Sequence, residues 1–565
     1  MTTITARPVL PAPRRLFGSA PLWAVAVVGL VTLGVLAPLA SLLLTAAEGD
    51  AEIWPHLVAN VLPAALWDTG RLLAGIAVLA GLIGIGTGWL VTAHRFPGRD
   101  TLAWLLPLPL AVPTYITAYV YVEIFDATGP VQAGLRSVFG FASRADYRFP
   151  EVRSLTGCIL VMSLVLYPYV YVTARSMFLT QSACMIEVAR TLGANRGTLF
   201  RTVAVPLARP ALAVGLSLAL LEALNDIGAS EYLGVRTLTV SVFTTWLNRG
   251  SLPGAAQVAC LMLAVVIGLI VLERNGRRDR RYALSTRRPR VAQPVPLPGW
   301  SGIAAAALCS LPVLLGFVLP AGFLIREVAR RGLLAQLDAS FLAHLATTIG
   351  LAGAATLATV GFGIVVVTTS RLSRNGVMRA AQVVVGLGYA LPGTVLALGL
   401  LGPLVGIDNA LNAIWRAMTG ARLGLVVMGS AAAIVVAYTI RFLPIATGSL
   451  AAGMDRVSVG IEDAARTLGA KPRELVTKVQ LPLLKPALAT AGLLVFVDCL
   501  KELPATLLLR PLNLETLATL VYGHAARGQF ENGALAALVI VVVGVVPVIK
   551  LTRHAEGQRH MDAAP

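Results

Sequence analysis

Four carboxylates stand where an apolar sequence should carry none. Glu222 and Asp226 close one apolar run, Asp498 and Glu502 close another, and a single constant offset lays the first pair on the second while matching Asn225 with Lys501. Carboxylate oxygens suit hard cations, and ionisable groups within a membrane mark substrate or ion paths by default. A spacing of four puts each pair of acids on one helical face near the outer end of its span. Such acids could line a gate or offer ligands to a passing ion. Two structural roles compete: Asp498 and Lys501 are spaced to pair across one turn, and the acids can cap or brace helix ends. Tyr115, Tyr119 and Tyr121 read as interfacial or packing residues rather than metal ligands. His344 and His524 are isolated, and Cys158, Cys184, Cys260, Cys309 and Cys499 are dispersed without the paired spacing of a disulfide framework or metal site. No metal site and no catalytic set are expected.

The elements that hold these residues must be membrane helices. The chain has 565 residues, 56% hydrophobic and 13% charged, with a mean hydropathy of +0.77; soluble domains carry about a quarter charged residues. The net charge of +18 does not signal nucleic acid, because the arginines fall in short loops between apolar runs rather than on a solvated surface. A bilayer core needs about 20 apolar residues per helix. Twelve stretches qualify: 21–46, 70–93, 102–125, 155–178, 207–226, 254–272, 302–325, 344–369, 380–404, 423–445, 483–503 and 533–551. The first is too long for a cleaved signal. If each run crosses once, Arg14, Arg15, Arg95, Arg99, Arg190, Arg196 and the cluster "ERNGRRDRRYALSTRRPR" share one side, the cytoplasm. The loop "EGDAEIWPHLVANVLPAALWD" has no Lys or Arg and belongs outside. The loop with Arg136, Arg144, Arg148 and Arg153 fits less well.

The polar insert "EVARTLGANRGTLFRTVAVPLARPAL" recurs as "EDAARTLGAKPRELVTKVQLPLLKPAL" at the same offset as the acids, pairing Ala189 with Ala465, Arg190 with Arg466, Gly193 with Gly469 and Pro206 with Pro482. The fold class is therefore all-α: about 12 transmembrane helices in two parallel six-helix repeats. The segments are an arm (1–20), a first half (21–273) holding the insert 187–206, a cytoplasmic linker (274–300), a second half (301–552) holding the insert 462–482, and a cytoplasmic tail (553–565). In each insert the glycine can end a short helix with positive φ, and the proline suits the first turn of the next span. A helix, a bend and a second helix at the inner surface form a docking element.

The inserts resemble the EAA motif of bacterial ABC importer permeases, matched by Glu187, Ala189, Gly193, Val203, Val205 and Pro206, and by Asp463, Ala464, Ala465, Gly469, Val479, Leu481 and Pro482. Val188 replaces one alanine, and Asp463 takes the glutamate position with Glu462 before it. "PLAVPTYITAYVYV", "ALNDIGASEYLGVRTLTVSVFTTW", "GYALPGTVLALGLL" and "FVDCLKELPATLLLRPLNLETLATLVY" resemble the fused two-half permeases of ferric-iron importers more than those for thiamine, phosphonate or sulfate. The resemblance implies a multi-pass protein of the bacterial inner membrane, and the arginine distribution places both termini in the cytoplasm. The resemblance also implies docking of two copies of a cytoplasmic ABC ATPase on the two loops, and delivery of substrate by an extracytoplasmic binding protein. No G-x-x-x-x-G-K-[ST] occurs in the chain, so ATP and Mg are expected on the partner ATPase and no cofactor on this chain. A different class, an ion-coupled secondary transporter, would place acids at mid-membrane and have no duplicated docking loop.

The arginine distribution makes a direct prediction. A single cysteine placed near Arg281 should resist a membrane-impermeant thiol reagent in intact cells and react after permeabilisation; ready labelling of intact cells would invert the topology.

Overall fold

The computed structural model describes residues 21–180, 191–193, 195–278, 294–373 and 376–562. Among them eleven helices are long and apolar enough to cross a bilayer, and a bent pair raises the number to twelve. We label these α1 (Leu22–Glu48), α2 (Trp54–Ala93), α3 (Thr114–Phe125), α4 (Leu155–Leu179), α5 (Gly197–Asn225), α6 (Leu252–Gly276), α7 (Trp300–Arg330), α8 (Ala339–Ser373), α9 (Gly393–Thr419), α10 (Ala431–Asp455), α11 (Pro472–Lys501) and α12 (Phe530–Lys550). The only strand pairing among the described residues is a parallel two-residue ladder, His94–Arg95 (β1) against Val295–Pro296 (β2), extended by the Leu297 N–H donating to the Arg95 carbonyl at 2.9 Å. It fastens the end of the linker to the chain just after α2.

Two expected spans are broken. The run 102–125 is not one helix: Arg99–Ala111 and the stretch Thr114–Phe139, which begins with α3, meet at 92°. Three prolines in "LPLPLAVP" (106–113) remove backbone donors and force the chain through a 3-10 turn at Leu108–Ala111 before α3 starts after Pro113. The run 380–404 breaks alike, with Gly376–Gly386, a 3-10 turn at Leu387–Ala390, then α9 after Pro392. Pro113 and Pro392 hold corresponding places in the two halves, so the break belongs to the repeat.

Other helices outrun their apolar windows. α2 begins at Trp54, so much of the expected outer loop is helical, and α5 and α11 begin at Gly197 and Pro472. Pro206 and Pro482 therefore do not open their spans. Each lies two residues beyond a π-helical turn, Phe200–Ala204 and Leu475–Gln480, and the same holds for Leu57–Val61 before Pro63 and Leu314–Val318 before Pro320. A π turn shifts the hydrogen-bond register by one residue, so the helix passes a proline that lacks an N–H.

The chain divides into two compact units that do not follow the halves. One contains the described parts of Met1–Ala37, Ala355–Tyr389 and Tyr438–Val495; the other contains those of Pro38–Ala354, Ala390–Ala437 and Phe496–Pro565. In the larger unit α2 packs on α4, where Trp89 meets Val170, Ala174 and Phe178 and stacks edge-on to the Phe178 ring at 5.3 Å. The approach needs glycine at Gly84: a Cβ there would lie 2.6 Å from Val170 Cβ and 2.9 Å from the Tyr167 carbonyl oxygen. In the smaller unit Val28, Val366, Met378 and Ala381 form a core, and Gly363 on α8 faces Ala446 and Leu450 on α10. A Cβ at Gly363 would have 3.2 Å to both side chains. Gly84 and Gly363 are repeat mates, in step with Pro113 and Pro392.

These clearances rank two substitutions. Gly84→Ala meets backbone below 3 Å and should destabilise by about 1–3 kcal/mol, whereas Gly363→Ala meets the Ala446 Cβ and the flexible end of Leu450 at 3.2 Å and should cost less. Thermal unfolding of both variants in lipid nanodiscs checks the order; equal melting temperatures would contradict it.

Candidate translocation site and docking loops

The sequence places acids at the ends of α5 and α11, and the structure shows what those ends do. α5 stops at Asn225, and Asp226 leaves the helix with extended backbone (φ −79°, ψ 106°). Glu222 and Asp226 therefore do not form a continuous helical face, as their spacing of four had suggested; Glu222 stays half-buried on α5. Asp226 is buried and works as a cap. One carboxylate oxygen accepts the Ala229 N–H at 2.8 Å, opening the short helix Ile227–Tyr232, and the other accepts the hydroxyl of Thr114, the first residue of α3. Asn225 is also buried, and its side-chain oxygen accepts the Gly393 N–H at 2.6 Å, at the first residue of α9. Adjacent side chains thus reach the helix starts created by the two proline breaks.

The second half repeats the device with different residues. Glu502, buried, accepts the Ala505 N–H at 3.1 Å and the Thr506 N–H at 3.2 Å, capping the helix Pro504–Leu509. Asp498 pairs with Lys501 at 2.9 Å, one turn apart on α11. Gly228 packs between the halves: a Cβ there would stand 2.7 Å from Tyr115 Cβ and 3.0 Å from Leu503 Cδ2. Thr69 of α2 accepts the Leu238 N–H at 3.0 Å and its repeat mate Thr348 of α8 accepts the Leu517 N–H at 2.9 Å, so the helices Leu238–Leu247 and Leu517–Ala526 are fastened in matching fashion.

Beyond the C-terminal end of α5 lies a cavity of about 500 Å³, walled by Tyr119, Arg153, Glu231, Tyr232, Tyr522 and Arg527 among others. The Tyr522 hydroxyl donates to Glu231 at 2.7 Å. The Tyr232 ring meets Tyr119 edge-on at 4.5 Å and carries the Arg153 guanidinium 4.7 Å above its centroid, while its buried hydroxyl faces Glu123 and Arg153. Burial pushes the Glu231 carboxyl up, opposed by the Tyr522 hydrogen bond. Burial also pushes the Tyr232 phenol up to about 12, with the Glu123 carboxylate adding to the rise and Arg153 opposing it. Tyr121 takes no part, since its hydroxyl donates to the Leu315 carbonyl at 3.1 Å.

Of the two polar inserts expected to act as docking loops, Glu187, Ala189 and Arg190 lie outside the described residues. Gly193 and Gly469 both have positive φ, +82° and +86°. In the second loop the helix Val459–Thr467 ends with Gly469 N–H donating to the Arg466 carbonyl and Ala470 N–H to that of Ala465, both at 3.0 Å. A glycine in this conformation closes such an end without Cβ strain. Asp463 is exposed and reaches Arg466 at 3.5 Å. The acid that anchors the loop is its neighbour: Glu462 is fully buried, pairs with Arg371 at the end of α8 at 3.1 Å and accepts from Gln480 at 3.1 Å. Leu192 and Leu468, repeat mates, are 82% and 89% exposed, giving each loop an apolar tip.

Four features escaped the sequence reading. Glu462 differed from Asp463 only by one position. Leu192 and Leu468 sit in the repeated "LGA", where their exposure had no local sign. Glu231, Tyr232 and Tyr522 fall outside the long apolar runs. Arg441, buried within α10 with its guanidinium 5.6 Å from the Phe442 ring centroid, was visible as a lone charge in a span, but has no charged repeat mate to single it out.

Comparison with known proteins follows the same two halves. Residues 80–281 and 359–556 each match the family described as binding-protein-dependent transport system inner membrane component. An Fe(3+)-transport system permease protein of Haemophilus influenzae is 24% identical over 95% of this chain and 99% of its own length. A sulfate transport system permease protein of Salmonella typhimurium is 27% identical over 49% of this chain and 99% of its own. A molybdenum transport system permease protein of Escherichia coli is 28% identical over 37% and 92%. Among solved structures, a bacterial alginate ABC transporter in complex with its alginate-bound periplasmic protein matches with a TM-score of 0.39 and 14% identity, over 46% of this chain and 93% of the other.

The capping geometry separates two substitutions. Asp226→Ala leaves Ala229 N–H and Thr114 without their acceptor and should destabilise by about 1–2 kcal/mol, whereas Asp226→Asn keeps an acceptor for Ala229 and should cost less. Melting temperatures in nanodiscs report this; equal losses would mean that the charge, not the cap, holds the segment.

Proposed function

Because this chain belongs to the binding-protein-dependent transport system inner membrane component family, we propose that it is the fused, two-half permease of an ABC importer for ferric iron. The observation that carries the iron reading is the full-length match: the ferric-iron relative aligns through both halves and the linker between them, whereas the sulfate and molybdenum relatives match about half of the chain or less. The membrane-spanning permease has no phosphate-binding loop in its sequence, so ATP and Mg belong to two copies of a cytoplasmic ATPase. An extracytoplasmic binding protein delivers the ion. Both termini and the linker lie in the cytoplasm by the arginine distribution.

Coupling enters through the two loops. Leu192 and Leu468 present exposed apolar tips beside Gly193 and Gly469, whose backbone turns the chain, and in the second loop Glu462 and Arg371 tie the docking helix to the end of α8. A force on that helix therefore passes to a span rather than into a slack loop. Removing one partner of a buried ion pair leaves an uncompensated charge, so the anchor resists being pulled apart. Asn225, Asp226, Asp498, Lys501 and Glu502 are the joints at which the spans turn, acting as gate and brace rather than as tight ligands; a site that held the ion firmly at mid-path would release it slowly.

A second reading, a small oxyanion substrate, is favoured by the buried cation Arg441 and by the sulfate and molybdenum relatives. Thiamine or phosphonate permeases are of the same type.

Vesicles reconstituted with the permease, its ATPase and its binding protein decide between them. Uptake of ferric iron without uptake of sulfate or molybdate is expected; the reverse would establish the oxyanion reading. In the same vesicles Leu192→Asp with Leu468→Asp should abolish uptake and receptor-stimulated ATP hydrolysis while the permease remains folded in the membrane. Undiminished coupling would remove the loops from the mechanism.

A further inference from the structure

We infer that the two inserts do unequal work: the second is a stiff lever, pinned to its neighbouring spans by a buried cluster of Glu462, Arg371 and Gln480, and the first is a compliant seat resting on apolar packing. The inference rests on the importer reading, in which both inserts meet ATPases, and names the side chains that position the second insert for passing the push onward.

Glu462 is the hub. It lies on the helix Val459–Thr467, fully buried, and its Oε1 accepts from Arg371 Nε at the end of α8 and from Gln480 Nε2 in the π turn of α11, each at 3.1 Å. Arg371 Nη2 also donates to the Val457 carbonyl at 3.2 Å, just beyond the end of α10. One carboxylate oxygen therefore gathers donors from two spans, and the arginine bound to it holds the chain that leaves a third. Arg371, Val457, Glu462 and Gln480 all belong to the smaller compact unit, so displacing the docking helix carries that unit along as a body.

The first copy has none of the three side chains. In the register that pairs Ala189 with Ala465, Glu462 and Gln480 fall on Ile186 and Ala204; in the register that pairs Gly84 with Gly363, Arg371 falls on Thr92. The Thr92 hydroxyl donates within its own helix, to the Gly88 carbonyl at 2.6 Å. Ala204 is buried in an apolar cluster with Trp89, Phe178 and Leu199, where the Phe200 ring lies 5.6 Å from that of Trp89. Apolar contact is non-directional, so such a seat yields by small slides, whereas charge-assisted hydrogen bonds hold one geometry. Stability alone does not call for the cluster: well-packed apolar residues often replace a buried ion pair at no loss, and the first copy places Ile186, Thr92 and Ala204 at the same points. What the cluster supplies is stiffness.

The test compares ATP hydrolysed with solute imported in vesicles holding the full chain, its ATPase and its binding protein, using ferric iron, sulfate or molybdate, whichever the wild type takes up. Glu462→Gln keeps the volume of the hub and removes its charge; it should raise the ATP spent per solute by about tenfold or more, the scale of one charge-assisted hydrogen bond. Arg371→Lys keeps the charge and loses the fork that also reaches Val457, and should raise the ratio less. Glu462→Ile with Arg371→Thr and Gln480→Ala gives the second insert the residues of the first without stranding a charge, and should uncouple as Glu462→Gln does. Trp89→Phe loosens the seat of the first insert; it should lower the melting temperature and leave the ratio unchanged. Melting temperatures in nanodiscs report folding, and a merely structural role would make uptake and hydrolysis fall together. A folded Glu462→Gln with the wild-type ratio, a proportional fall of both rates, or an equal rise in Trp89→Phe overturns the inference and leaves the importer reading standing. If Glu462→Gln does not fold, Arg371→Lys carries the test by the same ratio. If Leu192→Asp with Leu468→Asp stays coupled, the docking reading fails and the inference with it.

Discussion

A backbone that breaks inside an apolar layer must find its hydrogen-bond partners within the protein, because lipid offers none. Both halves of this chain break their third span at a proline, Pro113 and Pro392, and the new helix starts there carry N–H groups with no intrahelical partner. Asn225 meets this demand at Gly393, whose N–H its side-chain oxygen accepts, while its neighbour Asp226 holds the other start by accepting the Thr114 side-chain hydroxyl. The end of α5 is fixed by that duty. So are the short helix that follows, the glycine at position 228 that lets it press against Tyr115 and Leu503, and the wall of the cavity beyond.

Proline serves two opposite purposes here. At Pro113 and Pro392 it ends a span and turns it. At Pro63, Pro206, Pro320 and Pro482 the helix continues, because a π turn two residues earlier absorbs the missing donor. The difference lies in what precedes each residue. "LPLPLAVP" crowds three prolines together, and one register shift cannot accommodate them, whereas the isolated prolines each need only one. The spans that carry the two polar inserts therefore run on as helices past these prolines.

Periodicity across the chain made the halves, the helical class and the glycine bends legible, since Gly193 and Gly469 recur within one motif and only a turn explains both. Span ends were less legible: apolar windows stop at a proline or a polar residue, while hydrogen bonding carries α2, α5 and α11 further. The roles of the acids were hidden for a different reason. A spacing of four describes a face only if the helix persists, and α5 ends between Asn225 and Asp226 because of partners far away in the sequence. The cavity was least visible, since Tyr119, Arg153, Glu231 and Tyr522 meet only through tertiary packing. Glu462 shows the same limit locally: burial against Arg371, not motif position, separates it from Asp463.

The linker whose end pairs with the chain after α2, Val295–Pro296 against His94–Arg95, joins the two halves covalently, and joining them changes what each is free to become. In an assembly of two identical chains, a residue on the two-fold axis faces its own copy, so every change is made twice and must tolerate itself. Fusion lifts that symmetry at the level of the gene. Asn225 can be a neutral amide that meets a backbone N–H while its mate Lys501 carries a charge answered by Asp498, and Glu462 can anchor one loop where the other has Ile186. The duplicated architecture is preserved, and mutation acts on each copy alone.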